Sequence, residues 1–335
     1  MYKRVEREMD RTNNPSDLQK LIICIPVYND WESVTVLLDK LDHEIAMLDG
    51  NVSILIVDDG STENPPEKLF KVPSHIDKIE IIQLRRNLGH QRAIAMGLSY
   101  IYANYECQAV LIMDGDGEDD PKDVHTLIDR CCKRKLCKII FAKRSKRSDG
   151  QIFKLGYISY KVVHYLLTGI KVEVGNFSII PYQMLNKLMG VSEIWNHYAA
   201  SVFHARLPLE MVPIPRGERI AGKSKMNLIS LVVHGMSAIS VFGETVAVRL
   251  LGFVILLMLV TFAGLAATVS IKFFTALAIP GWATNLAGIL GIVLLNLLLL
   301  ATFSVILLLN SRDRLSFLPL RDWQYFVEIS RTIHD

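Results

Sequence analysis

The chain has 335 residues, half of them apolar, with a formal net charge of +3 and a mean hydropathy of +0.28. That length allows two or three structural units, and so small a charge excludes a nucleic-acid binder held by phosphate contacts. The hydropathy is high for a soluble protein, and the excess is concentrated after Arg249.

The opening residues, MYKRVEREMDRTNNPSD, lack the apolar core of a signal peptide and read as a polar extension over 1–19. From 20 to 226 the sequence reads as an α/β domain. KLIICIPV (20–27), NVSILIVDDG (51–60), KIEIIQL (78–84), AVLIMD (109–114) and CKIIFA (137–142) are rich in Ile, Val and Leu without polar alternation. Such runs suit parallel strands covered on both faces. Helices are expected over 31–48, 89–104 and 121–135, and the alternation implies an open, mostly parallel, Rossmann-like sheet. Cys24, Cys107, Cys131, Cys132 and Cys137 are odd in number and lack metal spacing, so reduced thiols are expected.

Ligands on open parallel sheets bind beyond the carboxyl ends of the strands. Those ends read PVYND, DDGST, RRNLGHQRA and DGDGEDDP, all polar, and they should converge on one cleft. In the last, five of the seven residues Asp114–Asp120 are acidic. Crowded carboxylates raise one another's pKa values, a cost that a bound divalent cation removes. Asp114 and Asp116, two residues apart at a strand end, are placed to share a cation, with Glu118 as a third ligand. Gly115 and Gly117 allow close approach and a sharp bend. Asp120 before Pro121 fits a helix cap. An EF-hand does not fit, because its sixth and twelfth positions would be Asp119 and His125.

Residues 227–249, mildly polar and apolar by turns, read as a juxtamembrane amphipathic helix. Leu250–Phe274 and Asn285–Leu309 form a two-helix transmembrane hairpin within 250–310, with IPGW at the turn. The first would rise about 37 Å at ~1.5 Å per residue, longer than a ~30 Å hydrocarbon core. Arg249, Arg312, Arg314 and Arg321 flank the hairpin and its turn has no Lys or Arg. Cations stay on the cytoplasmic side, so the large domain, both termini and the 311–335 tail are expected in the cytoplasm, against the cytoplasmic membrane.

IPVYND, LIVDDGST, NLGHQRAIAMGL and MDGDGEDDP resemble, in order and spacing, the inverting family 2 glycosyltransferases of GT-A fold. RIAGKSKMN followed by two spans is similar to their dolichyl/undecaprenyl-phosphate sugar synthase branch, of bactoprenol glucosyltransferase type. The resemblance covers residues 20–310. It implies a GT-A domain that transfers a sugar from a nucleotide sugar, UDP-linked rather than GDP-linked, to a polyprenyl phosphate. It implies Mg2+ or Mn2+ on Asp114 and Asp116. It implies donor contacts by Pro26, Tyr28, Asp58, Asp59, Gly89, Arg92, Asp114 and Gly115. Phosphate contacts would come from Arg144, Arg147, Arg219, Ser224 and Lys225, since guanidinium binds phosphate bidentately. Headgroup attraction is the competing role for Lys143 and Arg147.

Two features depart from the branch. Asn176, in VGNFSIIP, stands where it usually carries Asp, and Glu118 stands where it usually carries Gln. An amide takes no proton at neutral pH. A phosphate monoester, with a second pKa near 6, is already largely an anion and needs no base, whereas a hydroxyl acceptor does. Asn176 therefore suits a phosphate acceptor, or the base lies elsewhere, at Glu118 or Asp119. A lipid hydroxyl or lipid-linked glycan is the alternative acceptor, and a non-catalytic scaffold or lipid translocation partner the alternative class. A processive synthase is disfavoured by the absence of QxxRW. His197 and His204 are read as fold or membrane-facing residues. A homo-oligomer stays open.

Overall fold

The computed structural model describes residues 18–48, 50–66, 73–144, 151–171, 174–215, 217, 219–221, 228–275, 281–312 and 317–334. Strand β1 (Lys20–Val27) leads into helix α1 (Trp31–Ile45), then β2 (Asn51–Asp58), β3 (Lys78–Leu84) and α2 (His90–Asn104). Next come β4 (Ala109–Ile112), α3 (Asp123–Lys133), β5 (Ile139–Arg144) and α4 (Gln151–Thr168). Then β6 (Ser178–Pro181), α5 (Tyr182–Leu188), a 3-10 turn (Ser192–Trp195), α6 (Tyr198–His204) and β7 (Leu209–Ile214) follow. The chain continues with α7 (Leu228–Ser240), α8 (Gly243–Phe274), α9 (Trp282–Arg312) and β8 (Val327–His334).

One eight-stranded sheet runs β7-β5-β6-β4-β1-β2-β3-β8. Its centre is parallel: β1 pairs with β2 and β4, and β2 with β3. Both flanks turn antiparallel, through β6 against β4 and β8 against β3. The central strands are buried along nearly their whole length, which explains their unbroken apolar runs. One face is covered by α1 and α3 through Trp31, Leu37, Leu41 and Leu127. The other is covered by α2, α5 and α6 through Ile94, Leu98, Leu185 and Tyr198. This is a mostly parallel GT-A-like Rossmann domain.

The chain divides into two compact units. The first holds everything up to Gln151, Val172–Val241 and Phe317 onward, and so contains the whole sheet. The segment read from the sequence as a tail therefore supplies an edge strand. The second unit holds Ile152–Lys171 and Phe242–Ser316. Within it α8 and α9 pack on each other. Each reaches a mean hydropathy of 2.6 with 6% and 0% of its most apolar window buried, long and apolar enough to cross a membrane.

Candidate active site

The parallel strands deliver four loops to one edge of the sheet, and β6, antiparallel to β4, begins at that same edge with Ile112 opposite Ser178. Pro26 lies inside β1, buried and opposite Val57, while Tyr28 just beyond it is exposed. Asn29 Oδ1 accepts from Thr62 N and Glu63 N (2.9 and 3.2 Å), tying the first loop to the second. Asp58 Oδ1 accepts from Ser61 N at 2.8 Å. Asp59 is buried, and its two oxygens accept from Leu88 N (2.7 Å) and Gly89 N (2.9 Å). Burial pushes its carboxyl up to about 6, against the pull of those two N–H groups. Both carboxylates thus fasten backbone turns. Gly89 has φ +93° with open space where a Cβ would sit, so glycine is required there by conformation and not by packing.

The acidic loop is folded on itself. Asp119, buried, accepts from Asp114 N at 2.9 Å, and Asp116 Oδ1 accepts from Glu118 N at 3.0 Å. Gly117 makes the bend at φ +82°, with Ile220 packed where its Cβ would be. Gly115 is packed against Val34 and Ile25, so its lack of a side chain serves the core. Burial raises the Asp116 carboxyl, and the neighbouring Asp114 and Glu118 raise it further. Among the described residues, no three His, Cys, Asp or Glu side chains are gathered so as to hold a metal by themselves. Asp114, Asp116 and Glu118, expected from the sequence to share a cation, lie on this one loop, and a cation there would draw further oxygens from a ligand or water.

A second strip of chain lies on this loop. Gly217 N donates to Glu118 O and Ile220 N to Asp116 O, both at 2.9 Å. Arg219 then reaches the carboxylates, with Nη1 3.0 Å from Asp116 Oδ2 and Nη2 bonded to Asp30 Oδ2. Arg144 closes β5 beside Ile214 of β7. Arg147, Ser224 and Lys225 lie outside the described residues. Arg92 stacks its guanidinium 4.9 Å from the Trp195 ring centroid.

Asn176 closes the other side. The Tyr198 N–H donates to Gln91 Oε1 (2.8 Å), Gln91 Nε2 to Asn176 Oδ1 (3.0 Å), and Asn176 Nδ2 reaches His90 Nε2 (2.9 Å). The backbone donor at Tyr198 fixes the direction of both amides. His90 Nε2 is also 3.1 Å from Asp114 Oδ1. Burial alone would lower the His90 imidazole, but Asp114, Asp116 and Asp59 outweigh it and raise it. His197, read as a fold residue, caps α6 by accepting from Ala200 N, and its ring lies 4.8 Å from that of His234 on α7. Asp30, His90, Gln91 and His234 were not singled out by the sequence.

The match to the family model for glycosyl transferase family 2 spans residues 22–189, which include the four loops at the ends of β1 to β4. The chain belongs to this family. It is a glycosyltransferase. An uncharacterized glycosyltransferase of Bacillus subtilis, YkcC, is 27% identical over 82% of this chain and 85% of its own length. The undecaprenyl-phosphate 4-deoxy-4-formamido-L-arabinose transferase of Erwinia tasmaniensis is 25% identical over 72% and 77%. The dodecaprenyl-phosphate galacturonate synthase of Rhizobium johnstonii is 26% identical over 48% and 47%. Among solved structures, mannosyl-3-phosphoglycerate synthase from Rubrobacter xylanophilus superposes with a TM-score of 0.48 at 14% identity, over 72% of this chain and 75% of that one.

Proposed function

We propose that this glycosyltransferase moves a sugar, with inversion, from a nucleoside diphosphate sugar to the phosphate of a polyprenyl lipid at the cytoplasmic face of a membrane. The carrying observation is Asn176. The position read as a base or orienting group is an amide with both ends engaged, by Gln91 and by His90. A phosphate acceptor is already anionic at neutral pH and needs no proton removed. The names of the two prenyl-phosphate relatives point to the same acceptor.

In this reading the acceptor oxygen forms a bond to the anomeric carbon as the bond to the diphosphate breaks, and the pair of electrons leaves with the nucleotide. Asp119 fixes the backbone of Asp114, and Asp59 fixes the turn at Gly89 through its two N–H bonds. Arg219 supplies a guanidinium for phosphate oxygens. Asn176 and Gln91 hold the His90 ring beside Asp114.

The donor set fits a hard divalent cation, Mg2+ or Mn2+, that takes one or two carboxylates from the protein and the rest of its oxygens from a diphosphate and water. Asp114 and Asp116 would hold it, and when bound it would neutralise charge on the departing diphosphate.

Membrane attachment is supported by α8 and α9. Phe253, Phe262, Leu299 and Phe303 are all more than half exposed on helices that carry almost no charge. Apolar surface on that scale calls for lipid. The flanking arginines favour the cytoplasmic side.

The test uses full-length protein in lipid nanodiscs with polyprenyl phosphate and a panel of UDP- and GDP-sugars. The expected product is the lipid phosphate plus one glycosyl unit by mass, losing its sugar in mild acid as a sugar phosphate ester does. An acid-resistant product would overturn the phosphate acceptor. It would make a hydroxyl the nucleophile, with His90 the group to test as its base.

A further inference from the structure

Arg219 lies between two carboxylates. Its Nη1 is 3.0 Å from Asp116 Oδ2, its Nη2 is bonded to Asp30 Oδ2, and its Nε donates to Ala221 O at 2.8 Å. All three ionic side chains are largely shielded, at 19% exposure for Arg219, 23% for Asp30 and 21% for Asp116. Asp30 is itself fixed, because its Oδ1 accepts from Ser33 Oγ at 2.7 Å in the first turn of α1. The strip carrying Arg219 is stitched to the acidic loop by Gly217 N→Glu118 O and Ile220 N→Asp116 O. Both oxygens of Asp116 are engaged, one by Glu118 N and one by Arg219.

We infer that Asp30 is a positioning residue that retains Arg219 when a divalent cation displaces it from Asp116, so that guanidinium and metal exchange on one carboxylate. The inference rests on the reading of Asp116 as a metal ligand. Two cations against the same carboxylate oxygen repel strongly in a shielded site. Metal on Asp116 therefore requires the Nη1 contact to break. Without Asp30 the guanidinium would lose its whole ion pair at that moment. With Asp30 it keeps the Nη2 contact and leaves Nη1 free for a phosphate oxygen. Before donor arrives, Arg219 stands in for the metal and satisfies an acidic loop that would otherwise repel itself. The metal site is thereby weak until a diphosphate offers Arg219 a second anion.

The exchange gives opposite signs for its two partners, which general damage to the site does not. Free Mn2+ is measured by electron paramagnetic resonance against full-length protein in detergent, with no nucleotide. Arg219→Gln should tighten Mn2+ binding by about fivefold to tenfold, since a competing cation is gone. Arg219→Lys, which cannot span both carboxylates, should fall between it and wild type. Asp30→Asn should weaken Mn2+ binding severalfold, because displaced Arg219 has no second carboxylate. In an Arg219→Gln background the same Asp30→Asn change should do nothing, because its effect travels through Arg219.

Unchanged or weaker Mn2+ binding in both Arg219 variants overturns the exchange. An Asp30→Asn effect that persists without Arg219 overturns the positioning role and reduces Asp30 to a local charge. A parallel titration with UDP present separates the two levels of the argument. Binding that appears only with UDP, and is indifferent to Arg219, removes the exchange but keeps the metal reading. No Mn2+ binding in any protein, with or without UDP, removes both.

Discussion

Asp59 is where local chemistry and the cleft meet most tightly. It holds the Leu88–Gly89 turn through two N–H bonds, yet burial pushes its carboxyl up to about 6. An unfolded aspartate titrates near 3.9. Between about pH 4 and 6 the folded protein therefore binds the proton more tightly than the unfolded chain. Linkage makes this contribution to stability fall as pH rises through that window, by roughly 2–3 kcal/mol in all. Asp59→Asn removes the titration but leaves one buried N–H without its acceptor, at about 1–3 kcal/mol. The variant should thus be clearly less stable than wild type near pH 4.5, with the gap closing by pH 7.5, in denaturant melts of detergent-solubilised protein. A gap that stays constant with pH would refute the raised carboxyl. Asp116→Ala tests the chemistry: transfer should fall more than about a hundredfold, beyond the cost of losing an outer-shell partner, while the melting temperature stays near that of wild type. Near-normal turnover at saturating Mn2+ and donor would remove Asp116 from the machinery. The carboxylate pair was legible in the sequence because both members sit on one loop. Asp30 was not, because its partner Arg219 lies 189 residues away and nothing local marks the pairing. Asp58 and Asp59 were legible as strand-end carboxylates, but not as groups already bound to backbone N–H.

At the scale of elements, the five runs read as parallel strands all appear, 20–27 and 78–84 unchanged, 51–60 and 109–114 shortened to 51–58 and 109–112, and 137–142 shifted to 139–144, since an unbroken apolar run between turn residues has few other ways to be buried. The strands that escaped notice are those without that mark. β6 has only four residues, β7, LEMVPI, is interrupted by Glu210 and Pro213, and β8, VEISRTIH, largely alternates polar and apolar as an edge strand does. β8 is fastened by one buried carboxylate. Glu80 on β3 accepts from Ser330 Oγ on β8 and from the hydroxyls of Tyr100 and Tyr105, with Lys78 Nζ at 3.3 Å. Burial would raise the Glu80 carboxyl, and the three hydroxyls outweigh it, so it is lowered. Its contribution is therefore present above the ordinary glutamate range and is lost as pH falls through the lowered value. Trp195 adds a second fastening, stacking on Phe317 at 4.2 Å and meeting Phe326 at a tilt at 4.9 Å, with Arg92 over its ring. This places Arg92 in the seam that holds the returning chain. Glu80→Ala leaves three hydroxyls without their acceptor and should cost about 2–4 kcal/mol. It should also raise hydrogen exchange along 327–334 more than along β1. Equal protection of β8 in variant and wild type would show that the aromatic seam suffices alone.

For the whole molecule, the sheet constrains the membrane. The sheet-bearing unit gives up the chain at Val241 and takes it back at Phe317. β3 and β8 hydrogen-bond along Ile79–Leu84 and Val327–His334, so both flanks of the intervening segment lie in one compartment. The number of crossings between them must be even. Zero would leave two helices of mean hydropathy 2.6, with 6% and 0% of those windows buried, standing in water, at a large cost in exposed apolar surface. The membrane attachment proposed above would therefore use two crossings, and the flanking arginines favour the cytoplasmic side for both flanks. Burial pushes the Cys24 and Cys131 thiols up to about 12, too high to form thiolate at neutral pH. The expected arrangement is tested with fusions. Green fluorescent protein joined after Asp335 should fluoresce, and alkaline phosphatase at the same point should be inactive, because it needs an oxidising compartment to form its disulfides. The same phosphatase inserted between α8 and α9, at residues 276–280, should be active. Activity at both points would require an odd number of crossings, and β8 could then no longer pair with β3; activity at the C-terminal point alone would keep the pairing and invert the orientation. The two fusions together thus test the edge of the sheet and the path through the bilayer.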